Sequence, residues 1–141
     1  MLAGKKQIEK TVWAEYKGGF EVEIRYTPRA KLRVLSERAQ VREWHNHQMR
    51  ETLDSKKYSA LVANEVVVGW RGLTDKVLRQ MVLLDDYPPD VPFSIDECAW
   101  LLEAAYDFDL WVQNVATEVE YFDAARRAEE QKNSSPSPAS S

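Results

Sequence analysis

At 141 residues the chain is long enough for one domain with an ordinary core, since a chain of that size buries roughly two thirds of its unfolded surface. Its composition, 44% hydrophobic and 30% charged with five Trp and six Tyr, excludes wholesale disorder, and a formal charge of −4 lacks the basic footprint of a duplex-binding protein. The single Cys98 precludes an intramolecular disulfide or a Cys-based zinc site and suits a reducing, cytoplasmic setting, while no run reaches the roughly 18 apolar residues that span a bilayer and no signal peptide is expected.

Thr11 to Tyr26, TVWAEYKGGFEVEIRY, reads as a β-hairpin. Phe20, Val22, Ile24 and Tyr26 alternate with Glu21, Glu23 and Arg25, the period-two signature of a half-buried strand, and Val12 to Tyr16 is its partner. With Gly18-Gly19 alone as the loop, Glu15 would lie opposite Val22 on the apolar face. With Lys17-Gly18-Gly19 as the loop, Tyr16 faces Phe20, Ala14 faces Val22 and Val12 faces Ile24. The second register keeps the apolar face intact and is preferred. Thr27-Pro28 then opens a helix, Thr27 as N-cap and Pro28 at the first helical position, with an apolar stripe of Leu32, Leu35 and Ala39. Arg29, Lys31, Arg33, Arg38 and Arg42 make this region basic, but such charges on a helix are usually its solvated face, and nucleic-acid binding is not the favoured reading. Gln40 to Leu53 is polar, holds Trp44, Met49 and Leu53, and reads as helix or loop.

Asp54 caps a helix running through Tyr58, Leu61 and Val62 into VVVGWRGLTD. Val66 to Val68 are expected to be its buried last turns, with Gly69 and Gly72 letting the chain turn and Trp70 anchoring the exit. Residues 73–93 are expected to form a long loop, because Pro88, Pro89 and Pro92 forbid regular helix or central strand, and such length points to function or disorder. Within it Val77, Leu78, Met81, Val82, Leu83 and Leu84 form a short strand, a helical turn or an apolar patch offered to a partner. Ser94-Ile95-Asp96-Glu97 is a capping box, with Phe93 placed to staple onto Cys98 or its neighbours, and the helix it opens carries Cys98, Leu101, Leu102 and Ala105. Asp107 is expected to cap the last and longest helix, whose stripe reads Phe108, Trp111, Val112, Val115, Val119 and Phe122. Residues 1–10 are expected to be flexible, and residues 132–141 read as a disordered Ser/Pro tail.

His45 and His47, with Glu43 nearby, form the one cluster that suggests a metal. On a helix, residues two apart point about 200° away from each other, so both rings could not reach one ion. On a strand they could, but no third ligand is marked, and neither metal nor cofactor is expected. The carboxylate pairs Asp85/Asp86, Asp107/Asp109 and Glu118/Glu120 sit beside prolines, at a helix start and on a helix surface, where solvated or capping roles outweigh general acid–base work. There is no Gly-rich phosphate loop, nucleophile elbow or Cys/His signature, so binding or scaffolding is the leading class and no catalysis is expected.

The order of features is more specific than any one of them. Val66, Val67, Gly69, Trp70, Gly72, Leu73 and Asp75 spell V-V-x-G-W-x-G-L-x-D; Pro92, Phe93, Ser94 and Glu97 follow, then Phe122 and Lys132-Asn133-Ser134. This succession, spanning about half the chain, resembles the tail assembly chaperones of long-tailed bacteriophages. The chain departs from their pattern where Lys76 to Asp90 replaces a short Gly-containing turn before P-F-S. The resemblance implies a mainly helical, self-associating, non-enzymatic protein that coats the tape measure protein in the host cytoplasm and helps recruit the tail tube protein. It would correspond to the short product where a programmed frameshift also makes a longer one. Five Trp and a Leu/Val/Met-rich segment suit an adaptable apolar binder. A structural virion protein, such as a minor tail or head–tail joining component, is one alternative. A small regulatory protein binding nucleic acid through the Arg-rich first helix is another.

The expected fold is therefore α+β: a mostly α-helical single domain over residues 11–131, with an N-terminal β-hairpin at 11–26 and a disordered C-terminal tail. The residues expected to shape or line a partner-binding surface are Val67, Gly69, Trp70, Gly72, Leu73, Leu83, Leu84, Phe93 and Trp111.

Overall fold

Alternating apolar residues build the hairpin where the sequence places it. In the computed structural model, which describes residues 2–134, β1 (Thr11–Lys17) and β2 (Phe20–Arg25) pair antiparallel with Val12 opposite Ile24 and Ala14 opposite Val22. Ala14, Phe20, Val22 and Ile24 are buried as a result. The turn is tighter than the three-residue loop expected. Lys17 pairs with Phe20, and Gly18-Gly19 alone reverse the chain at φ 52° and 86°, the doubly positive pattern of the tightest hairpins. A bulge at Tyr16, between Glu15 and Lys17, absorbs the extra residue, so the preferred register holds for Val12–Ile24 and Ala14–Val22, but Phe20 faces Lys17 instead of Tyr16.

The first helix, α1 (Arg29–Arg38), starts one residue later than its cap signal suggests. Thr27 is buried and its hydroxyl donates to the Arg25 carbonyl at 2.9 Å, so Pro28 stands at the N-cap and its carbonyl accepts from Lys31 and Leu32. Gln40 to Leu53 is neither helix nor loop but a second hairpin, β3 (Gln40–His45) and β4 (Gln48–Leu53). It turns at Asn46-His47, φ 50° and 64°, residue types that tolerate left-handed backbone. Arg42 lies opposite Glu51 and Glu43 opposite Arg50, cross-strand pairs of opposite charge. Trp44, Met49 and Leu53 share one face with Gln40, Arg42 and Glu51 and stay exposed, so hydrophobic alternation is too broken to mark these strands.

Helix α2 (Ser55–Glu65) begins as expected at Asp54, whose carboxylate accepts the Lys57 N–H at 3.2 Å. It stops at Val66, however, and Val67–Arg71 forms β5, antiparallel to β2 in a sheet of order β1-β2-β5. Three consecutive β-branched valines lose rotamer freedom in a helix and fit a pleated surface, and the open edge of β2 supplies their backbone partners. Glu23 pairs with Gly69 and Ile24 with Val67, leaving Val68 as an extra, bulged residue. Val67 and Trp70, three positions apart, are therefore both buried while Val68 is exposed. Gly72 has φ 79°, and a Cβ there would stand 2.4 Å from the Gly19 carbonyl oxygen, so the two glycine turns touch. Gly69, by contrast, lies within the strand and turns nothing.

The expected 73–93 loop is shorter, because Asp75–Met81 coils into α3, burying Val77 and Leu78. Residues 82–94 connect it to α4 (Ile95–Ala104), where Ser94 Oγ accepts the Glu97 N–H as the capping signal requires. Ala105, not Asp107, occupies the cap of α5 (Tyr106–Thr117). The long final helix is divided, since Glu118 is extended and α6 (Val119–Ser134) starts anew. Helix α2 packs along α4, α5 lies against β1 and β2, and α6 returns to β1, placing Phe20, Phe108, Val112 and Leu101 at the centre of the core. Lys10 accepts from the Tyr26 N–H and pairs with Glu129, so the N-terminal segment is tied down at its end. Lys132, Asn133 and Ser134 belong to α6; the rest of the expected tail, residues 135–141, lies outside the described residues.

Candidate partner-binding cleft

Trp70 is the residue on which the candidate site is built. Carried inward by the β5 bulge, its ring meets Phe20 edge-on at 5.6 Å and Phe93 at 5.1 Å, and its Nε1–H donates to the Val91 carbonyl at 2.9 Å. The Val91 N–H in turn donates to Leu73 O at 2.9 Å, and the Asp75 N–H to Pro89 O at 3.3 Å. The proline-rich segment is thus fastened across the turn that follows β5. It is also braced internally, for the Tyr87 hydroxyl donates to Val82 O at 2.9 Å and accepts the Leu84 N–H at 3.0 Å, with the Arg79 guanidinium over the Tyr87 ring. A segment with three prolines, each fixing φ, loses little further entropy on being held this way.

Between that segment, β5 and α4 opens a cleft of about 450 Å³, within the size range of ligand sites. Trp70, Leu73, Leu78, Val91 and Leu101 form its apolar wall, Leu84 and Pro88 its loop side, and Trp100 one lip; Asp85, Asp86 and Glu97 supply its charge. Trp100 keeps 48% of its surface exposed, and Leu83, beside the cleft in sequence, keeps 97%.

Of the residues expected to form a partner surface, Trp70, Leu73 and Leu84 line this cleft, Phe93 backs Trp70, and Leu83 stands outside. Gly72 makes the turn that sets it up. Val67 is core, Gly69 sits in β5, and Trp111 belongs to a different aromatic group, 4.9 Å from Tyr16 and 6.0 Å from Phe108. Trp100 was missed. Its signal was available: it falls off the Cys98/Leu101/Leu102 stripe of α4, and a Trp on the outward side of a helix asks for a partner.

Chemistry elsewhere is sparse. His45 and His47 are exposed at the end of the second hairpin, and among the described residues no three His, Cys, Asp or Glu side chains converge as a metal site. Burial pushes the Cys98 thiol up to about 12, the opposite of nucleophile activation. Burial also raises the Asp109 carboxyl, an effect Gln113 partly offsets and Glu103 reinforces; its Oδ1 is buried without a hydrogen-bond partner. The nearby Tyr58 hydroxyl, raised by burial and then by Asp109, donates to Gln113 Oε1 at 3.0 Å. No helix among the described residues is long and apolar enough to cross a membrane. No protein-family model, curated protein or solved structure matches the chain.

Proposed function

We propose that this chain is a tail assembly chaperone of a long-tailed bacteriophage, acting without catalysis in the host cytoplasm. It holds the tape measure protein soluble, self-associates, and helps bring tail tube protein to the growing assembly. One observation supports the reading: the two separated parts of the motif, Val66–Asp75 and Pro92–Glu97, meet where Phe93 packs on Trp70, and they contribute Trp70, Leu73 and Glu97 to the cleft. With Trp100 they frame an apolar recess that has one aromatic lip. An extended helical client offers rows of apolar side chains, and a recess of this kind takes them in the helix-in-groove manner.

Co-expression with the tape measure protein of the same phage tests this. The expected result is co-purification and a larger soluble fraction of the client. Trp100→Ser, altering a half-exposed lip, should weaken capture while leaving the thermal melt unchanged. No co-purification and no gain in client solubility would refute the proposal. Stoichiometric recovery of this chain from purified virions would make it a structural component instead.

A further inference from the structure

Charge is distributed very unevenly along this chain. From Gln80 to Ala125 there are eleven Asp and Glu residues and no Lys or Arg, whereas the residues up to Arg79 hold sixteen Lys and Arg against ten Asp and Glu. The modest net charge conceals this division. The acidic part supplies most of the cleft's lining and all of its charge: Asp85, Asp86 and Glu97 stand at an apolar hollow, exposed, and none pairs with a Lys or Arg within 4.0 Å among the described residues. Some carboxylates elsewhere do have such a partner, as in Arg71–Glu21 and Arg38–Glu65 at 3.0 Å and Arg126–Asp123 at 3.0 Å.

We propose that the occupant of the cleft is a cationic amphipathic helix of another polypeptide, its apolar side chains against Leu84, Val91 and Trp100 and its Lys or Arg heads on Asp85, Asp86 and Glu97. This rests on the reading of the cleft as the client site and specifies which segment of a client it takes. Three exposed carboxylates without a Lys or Arg partner give the hollow a negative rim, which disfavours an anionic partner and favours a cationic one. A small cation would meet only the rim, whereas an amphipathic helix also covers the exposed apolar surface of Trp100 and its neighbours, a gain that requires apolar contact. Long Lys and Arg side chains suit the geometry, since their stems cover apolar surface while their heads reach a rim.

The test uses a fluorescein-labelled Leu/Lys amphipathic peptide of about 14 residues, with its Leu/Glu counterpart, titrated into the full chain and followed by anisotropy. The Leu/Lys peptide should bind and the Leu/Glu peptide should not. Asp85→Asn/Asp86→Asn/Glu97→Gln should weaken binding roughly tenfold, as expected for losing three exposed ion pairs. Asp107→Asn/Glu118→Gln/Glu120→Gln, which removes as much charge away from the cleft, should leave binding unchanged. Raising salt should shrink the difference between the two triple variants. Equal binding of both peptides, equal loss in both triple variants, or no binding at all would overturn the proposal. If the tape measure protein co-purified undiminished with the cleft triple variant, the cationic-helix proposal would fail while the chaperone reading stood. The peptide pattern without client capture would do the reverse.

Discussion

Replacing Trp70 with Ala removes three things at once: a buried ring, its edge-on contacts with Phe20 and Phe93, and the Nε1–H that satisfies the Val91 carbonyl. Truncating a buried Trp costs about 3–5 kcal/mol, a large share of the roughly 5–15 kcal/mol that holds a domain folded. At about 2–4 °C per kcal/mol for a chain near this size, the melting temperature should fall by roughly 6–20 °C. Trp70→Phe separates the parts, since it keeps a ring between Phe20 and Phe93 and loses the donor, at about 1–2 kcal/mol. Urea unfolding followed by circular dichroism gives both numbers, and amide hydrogen exchange locates the second. In Trp70→Phe, exchange should quicken at Val91 and Tyr87 while the β1–β2 amides stay protected. A Trp70→Ala chain that unfolds cooperatively with under about 1 kcal/mol lost would refute the anchoring argument. So would unchanged exchange at Val91 in Trp70→Phe.

Two further outcomes follow from local geometry. Gly72→Ala should cost more than about 2 kcal/mol, because φ 79° already strains any L side chain and the new Cβ would meet the Gly19 carbonyl, whereas Gly69→Ala, with open space at its Cβ, should be neutral or stabilise by up to about 1 kcal/mol; equal losses in denaturant titrations would contradict this. Asp109 keeps its proton to higher pH in the folded chain than its ordinary 3.8, so between the unfolded and folded values the folded state binds more protons and stability falls as pH rises. Asp109→Asn should therefore melt higher at neutral pH, with the advantage vanishing in acid below the ordinary carboxylate range; an Asn variant less stable at neutral pH would show that the carboxylate is a net stabiliser.

What was legible in the sequence follows a physical rule. Elements whose information is local were read well: the period-two run from Phe20, the Asp54 cap and the Ser94 capping signal all depend on residues within a few positions of one another. Elements whose stability comes from distant partners were not. Val67–Arg71 is a strand because β2 offers an edge, and nothing near Val67 in the chain says so. The second hairpin failed for a different reason: its strands are mostly polar and exposed, and their scattered apolar residues, Val41, Trp44, Met49 and Leu53, give no sustained alternation. The site was half legible. Trp70 and Leu73 came from the motif and Leu84 from the apolar run before the prolines, but that Phe93 would meet Trp70 across more than twenty residues is a tertiary fact.

The cleft depends most on the feature least visible in the sequence, the single extra residue in β5. Side chains alternate faces along a regular strand, so with Val67 inward, Trp70 would point outward, to the face where Arg71 covers Trp13. The bulge at Val68 reverses that parity. Once Trp70 is inside, its indole N–H needs a buried acceptor, and the Val91 carbonyl is the one it meets. Fastening Val91 brings the proline-rich segment over β5, which leaves a hollow between that segment and α4 with Leu84 and the carboxylates Asp85 and Asp86 at its side. One inserted residue therefore converts a sheet edge into the wall of a recess. Gly69 lies next to that insertion in the register with open space where a Cβ would stand, so the bulge does not demand a glycine, whereas Gly72 is required by its positive φ and by the Gly19 carbonyl that a Cβ would meet. Of the two glycines that bracket Trp70, only the second is required, and the change of parity on which the recess rests is set by the extra residue at Val68.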